Sequence, residues 1–188
     1  MRTTHLVSEV CVVLVCVCAT AQTAPKSQAT NVTGATPLII QKNEGERRVW
    51  KMAPGNPLFI LKVDPKNGGS SHLVLGTEDL KPGDKIPAHR HPGADEILLL
   101  QSGTASVRLG DTMKEVHGGT TVFIPADTWI SVANVGNDNV SLTFIFSAPG
   151  FEEFMRDSSV REGEKIIPLS KEEMEENVKK HSHAVIYQ

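Results

Sequence analysis

The stretch GDKIPAHRHPGADEILLLQSG, residues 83–103, sets two histidines one residue apart, His89 and His91, ahead of Glu96 and an apolar run from Ile97 to Leu100. On a β-strand, residues i and i+2 share a face, so both imidazoles can address one point in space. Glu96 follows a short turn, His-Pro-Gly-Ala-Asp, and can meet the same point from the next strand. Two imidazoles and a carboxylate suit iron, manganese, nickel, copper or zinc. No nucleophile and no phosphate-cradling loop stands beside them. Chemically, this is a metal site before it is anything else.

Working outward, the glycines supply a frame. Gly83 precedes His89 by six residues, Glu96 follows His91 by five, and Gly103 follows Glu96 by seven. A second stretch, GTTVFIPADTWISVAN at residues 119–134, carries Gly119, Pro125 six residues later and Asn134 at its end. Together these resemble the two motifs of the cupin superfamily. The resemblance implies an all-β jelly-roll, or double-stranded β-helix, with metal ligands His89, His91 and Glu96. Two positions depart from the pattern: Asp127 stands where the family usually has glycine, and Ile130 where it usually has a third metal-binding histidine. Alternation along the second stretch sends Ile130, Val132 and Asn134 to one face, so Ile130 is expected to point into the barrel.

Length and composition agree with one such domain. The chain has 188 residues, 19 Lys and Arg against 22 Asp and Glu, and a net charge of -3, which gives nucleic acid no broad basic surface to bind. The first residues differ in kind: Arg2, an apolar run from Val10 to Ala19, then Ala19-Thr20-Ala21. That pattern predicts a signal peptide over 1–21, with the mature protein secreted or periplasmic and free of membrane. All three cysteines, Cys11, Cys16 and Cys18, fall inside it, so the mature chain is expected to hold no thiol. Asn31-Val-Thr and Asn139-Val-Ser match the glycosylation acceptor pattern, which is short enough to recur by chance.

Residues 22–36 are rich in Thr, Ala, Ser and Asn without an apolar period and read as a flexible lead-in. Residues 37–148 read as the barrel with its N-terminal strands, and short strands are expected at Pro37–Ile40, Arg47–Met52, Leu58–Val63 and His72–Gly76, then through Phe146. On the strand from Glu96, Leu98 and Leu100 share one face while Ile97 and Leu99 make the other equally apolar. A strand apolar on both faces needs a second cover, from the N-terminal strands or from a partner, and a homodimer is expected. Residues 149–188 read as a helical tail. A short helix is predicted over Phe151–Asp157, and a second from the capping box Ser170-x-x-Glu173, docking by Met174 and Val178.

Either His72 or His117 is a candidate to complete the site, His117 being expected in solvent. His181-x-His183 repeats the spacing without supporting glycines and reads as a solvated tail. Lys85, Arg90 and Arg108 are given no role. Two functions follow from the motif and its defect. The first is an exported mononuclear metal enzyme resembling bacterial quercetin-dioxygenase-like cupins. Its metal would be carried at less than one per chain, its substrate would be a small aromatic or enolic molecule, and Glu96 would double as catalytic base. The second is a non-catalytic barrel that binds a small molecule, with Ile130 part of an apolar wall.

Overall fold

The computed structural model describes residues 34–52 and 57–188. The expected signal peptide and nearly all of the lead-in lie outside the described residues. Ten strands come first: β1 (Glu46–Trp50), β2 (Leu58–Val63), β3 (Val74–Leu80), β4 (Lys85–Arg90), β5 (Glu96–Ser102), β6 (Thr104–Leu109), β7 (Thr112–His117), β8 (Thr121–Ile124), β9 (Ile130–Asn134) and β10 (Val140–Phe146). Then follow α1 (Phe151–Asp157), β11 (Ser159–Arg161), α2 (Lys171–Lys180) and β12 (Ile186–Tyr187). One sheet has the order β11-β1-β2-β3-β10-β5-β8 and the other β12-β4-β9-β6-β7. The fold is all-β, a double-sheet jelly-roll with two short helices, as the motifs led one to expect.

Alternation fixes what faces inward. On β5, Glu96, Leu98 and Leu100 are buried and Ile97 and Leu99 half-buried; on β9, Ile130, Val132 and Asn134 are buried. The apolar ones, Leu98, Leu100, Ile130 and Val132, join Phe59, Leu61, Phe144 and Phe146 in one core between the sheets. Turn chemistry holds the edges together. Gly103 joins β5 to β6 with φ 86°, and a Cβ there would lie 2.7 Å from the Asn139 carbonyl oxygen, so only glycine fits. Asp127 takes φ 64°, the left-handed conformation that Asp tolerates better than most residues, which is how it occupies a position where glycine is usual. Asn134 donates to the carbonyls of Leu80 (2.8 Å) and Asp138 (2.9 Å) and accepts from Gly136 N–H (2.9 Å), so it serves the loop.

Three expectations need correction. Pro37–Ile40 forms no strand; the nearby Thr36 N–H bonds the Gly68 carbonyl at 2.9 Å. The strand expected at His72–Gly76 begins two residues later and continues to Leu80, which brings Glu78 into the sheet. The tail is not only helical: β11 pairs with β1, and β12 pairs with β4 opposite His89 and Arg90. Sequence pattern missed β11 and β12 because three or two residues carry too little period. Both helices form where expected. Ser170 caps α2 by accepting from Glu173 N–H, and the Glu173 carboxylate accepts from Ser170 N–H, while Met174 and Val178 pack on the core.

Candidate metal centre

β4 delivers His89 inward, the chain leaves the strand at His91, turns at Pro92-Gly93, and re-enters as β5 at Glu96. All three side chains are buried, and their ligand atoms lie within 4.8 Å of one another. The rings of His89 and His91 meet edge to face at 4.9 Å. Each imidazole is held by its far nitrogen. His89 Nδ1 is 2.8 Å from the Pro87 carbonyl, and His91 Nδ1 is 2.8 Å from the Ala184 carbonyl. A carbonyl only accepts, so Nδ1 of each ring carries the proton and Nε2 offers its lone pair. This is how metal-binding histidines are commonly oriented.

The decisive feature is what these atoms lack. His91 Nε2 and Glu96 Oε2 are buried without any hydrogen-bond partner, although a buried polar atom left so costs about 1–3 kcal/mol. They stand 3.7 Å apart, too far to bond each other. Nor are they an ion pair: burial, with His89 adjacent, drives the His91 imidazole down to about 3, and burial aided by Glu78 drives the Glu96 carboxyl up to about 8. Burial lowers His89 as well. Neutral imidazoles and a carboxyl held against ionisation are what a bound cation would satisfy at once. The residues present fit a divalent transition metal.

The site opens into a cavity of about 190 Å³. Apolar cavities of about 150 Å³ take benzene, so there is room for a substituted ring. Ile130, 1% exposed and paired with His89 across β4 and β9, is part of its wall, as alternation implied. His72 and His117 are both exposed and take no part. The expectation of a solvated tail was wrong for His181, which is buried with Nε2 2.8 Å from Asp157 Oδ2. Arg90 pairs with Asp127 (3.0 Å) over the Trp129 ring, and Arg108 bonds Gln188. Three contributors went unread: Phe151, Tyr187 and Glu78 all line the cavity. The β-branched run Val185-Ile186 before Tyr187 was the available signal for the second.

With this geometry in hand, comparison with known proteins decides the family. The cupin-domain family model matches residues 76–146, spanning β3 to β10 and the whole candidate site. The chain belongs to the cupin superfamily. An uncharacterized protein of Acanthamoeba polyphaga mimivirus is 31% identical over 118 residues, covering 58% of this cupin and 71% of that protein. YrkC, an uncharacterized Bacillus subtilis protein, is 27% identical over 84 residues, 42% of this chain; the chain spans 45% of YrkC, less than half its length. Among solved structures, a predicted oxalate decarboxylase from Thermotoga maritima superposes with TM-score 0.53 at 16% identity, covering 60% of this chain and 100% of that one. That likeness speaks to the fold.

Proposed function

We propose that this cupin is a mononuclear metal-dependent enzyme acting on a small organic molecule, with His89, His91 and Glu96 as the protein ligands. The observation that carries it is the pair of orphaned buried atoms, His91 Nε2 and Glu96 Oε2, beside a cavity that His89 and Glu96 line and that is large enough for a substrate. A divalent transition metal bound there supplies Lewis-acid polarisation of a substrate oxygen. The chain does the rest. Pro87 and Ala184 carbonyls hold the imidazoles in one tautomer, Phe146 and Phe151 pack on His91 and exclude water, and Glu96, on releasing the metal, would take a proton from substrate.

A dioxygenase-like reaction on an aromatic or enolic substrate is the finer reading, supported by walls built from Phe144, Phe146 and Phe151. Oxalate, suggested by the name of the Thermotoga protein, suits this cavity poorly. A dianion would face the acids Glu78 and Glu96 and mostly apolar walls. Ile130 favours a second reading, a non-catalytic small-molecule binder, because it stands beside His89 where this family's pattern has a third histidine. We also read the protein as exported, from the segment 1–21, and as a homodimer. The dimer reading rests on a row of apolar residues, Leu75, Ile145, Ile97 and Phe123, that crosses the outer face from β3 to the edge strand β8, with Phe123 56% exposed.

Protein purified without chelator is analysed for metal, then mixed with small phenols and enols while dissolved oxygen is followed. Metal-dependent consumption that His91→Ala abolishes supports the enzyme. Binding of the same compounds with no metal and no turnover supports the binder.

A further inference from the structure

A fourth buried polar side chain lines the cavity away from the metal ligands. β3 turns Val74, Gly76, Glu78 and Leu80 inward, so Glu78 occupies a core position. Its Oε1 accepts from Trp50 Nε1 at 2.9 Å, and its other oxygen has no hydrogen-bond partner among the described residues. The charged groups that bear on it, Asp79, Asp84 and Glu96, are acids, so no cation offsets its burial. Holding one indole N–H needs only a neutral amide carbonyl; a buried acid costs more and must be explained. Burial pushes the Glu78 carboxyl up to about 7 against the pull of the Trp50 N–H, so it both donates and accepts near neutral pH.

Strand register says where it stands. β10 lies between β3 and β5; its Leu142 pairs with Glu78, and its Phe146 pairs with Glu96. Four residues along a strand is about 13 Å. The two acids therefore enter the cavity at different levels of the sheet, near enough for Glu78 to raise Glu96, with Leu142, Phe144 and Phe146 lining the apolar wall beside them. Exposed Gly83 and Lys85 also line the cavity beside Asp84, so it reaches the surface on the Glu78 side.

We propose that Glu78 is a second binding pole of the cavity, its free carboxyl oxygen hydrogen-bonding a hydroxyl on a small, mostly apolar ligand whose other end lies at His89, His91 and Glu96. This rests on reading the cavity as a ligand site and does not depend on the metal. The test uses an isosteric pair, 4-ethylphenol and 4-ethyltoluene, titrated calorimetrically into metal-free protein. The phenol is expected to bind about tenfold more tightly, the worth of one buried hydrogen bond. Glu78→Leu should erase that preference while 4-ethyltoluene affinity and zinc binding persist, and Glu96→Gln should retain most of it.

A second readout leaves Glu78 intact. In Trp129→Phe protein, Trp50 is the remaining tryptophan, and its emission should shift with 4-ethylphenol and not with 4-ethyltoluene, because only the phenol bonds the carboxyl to which the Trp50 indole N–H donates. A preference that survives Glu78→Leu, a preference lost only in Glu96→Gln, identical Trp50 responses, or failure of both probes to bind would each overturn the inference. If zinc fails to bind and the preference still follows Glu78, the inference stands and the metal-enzyme reading falls.

Discussion

Among the described residues, two clusters of charge-bearing side chains, one half-buried and one fully buried, are built to opposite specifications. In one, Arg156 of α1 bonds Glu46 (2.7 Å) and Asp64 (2.8 Å), Arg48 bonds Glu46 (2.8 Å), and Asp64 also accepts from the N–H groups of Lys66 and Asn67. Arg156 Nη1 has no hydrogen bond but faces the Glu153 carboxylate at 3.5 Å. In the other, His91 and Glu96 point polar atoms at each other across a gap and at nothing else. The carboxyls record the difference. Burial alone would raise Glu46, but Arg156, with Arg48 and Asn67, pulls it down to about 2, whereas burial leaves Glu96 up at about 8. A cluster that satisfies itself serves the fold; one that does not is arranged for something the chain does not contain.

The largest expected effect comes from breaking the satisfied cluster. Arg156→Ala takes the shared cation from buried Asp64 and half-buried Glu46, which keep only Arg48 and the N–H donors of Lys66 and Asn67, and should destabilise the protein by about 2–3 kcal/mol in denaturant melts. Metal affinity of the folded protein should not change. If stability is untouched, the cluster is not what ties α1 to the barrel.

Acidity separates the clusters without mutation. Glu46 has a lowered carboxyl, so its contribution is present above its unfolded value near 4.5 and is lost as pH falls toward 2. Glu78 and Glu96 are raised to about 7 and about 8, so the folded protein holds protons that the unfolded chain has released. Below about 6.5 the resulting loss of stability is offset by His89 and His91, whose lowered imidazoles are neutral in the folded protein while the unfolded chain holds their protons, so metal-free protein should lose stability chiefly as pH climbs from about 6.5 to 8, at about 1.4 kcal/mol per pH unit for each carboxyl still protonated. Thermal melts across this range, repeated with zinc, should show the alkaline loss shrink when Glu96 is paired.

Neutralising the unsatisfied cluster should help the empty protein. Glu96→Gln removes an acid that burial penalises and should leave metal-free stability unchanged or raise it by about 1–2 kcal/mol, while metal binding is lost. Marked destabilisation would mean that Glu96 serves the fold after all. The smallest effect is at Ile130. Because Ile130 pairs with His89 and faces the cavity, Ile130→His should add a donor and tighten zinc binding about tenfold, read by competition titration. Stability lost without tighter binding would place the new ring out of reach of the site.

Much of this was legible from the chain. His89, His91 and Glu96 were readable because period-two alternation and a short turn are local, and Ile130 because its alternation with Val132 and Asn134 is local too. What escaped comes from remote pairing. The Ala184 carbonyl that orients His91 is 93 residues away, and Tyr187 reaches His89 through a two-residue strand. Glu78 escaped because its strand was expected to end at Gly76; once β3 continues, alternation alone turns the acid inward.

The central claim is that His89, His91 and Glu96 form a metal site, and metal-dependent stabilisation tests it most directly. Protein purified without chelator is assayed for metal by mass spectrometry, and the stripped protein is melted with and without zinc, manganese, nickel and iron(II). The account predicts metal at less than one per chain as isolated. It further predicts that at least one of these ions raises the melting temperature of the wild type while leaving His89→Ala and Glu96→Gln unmoved. No shift with any ion, or an equal shift in all three proteins, would contradict it.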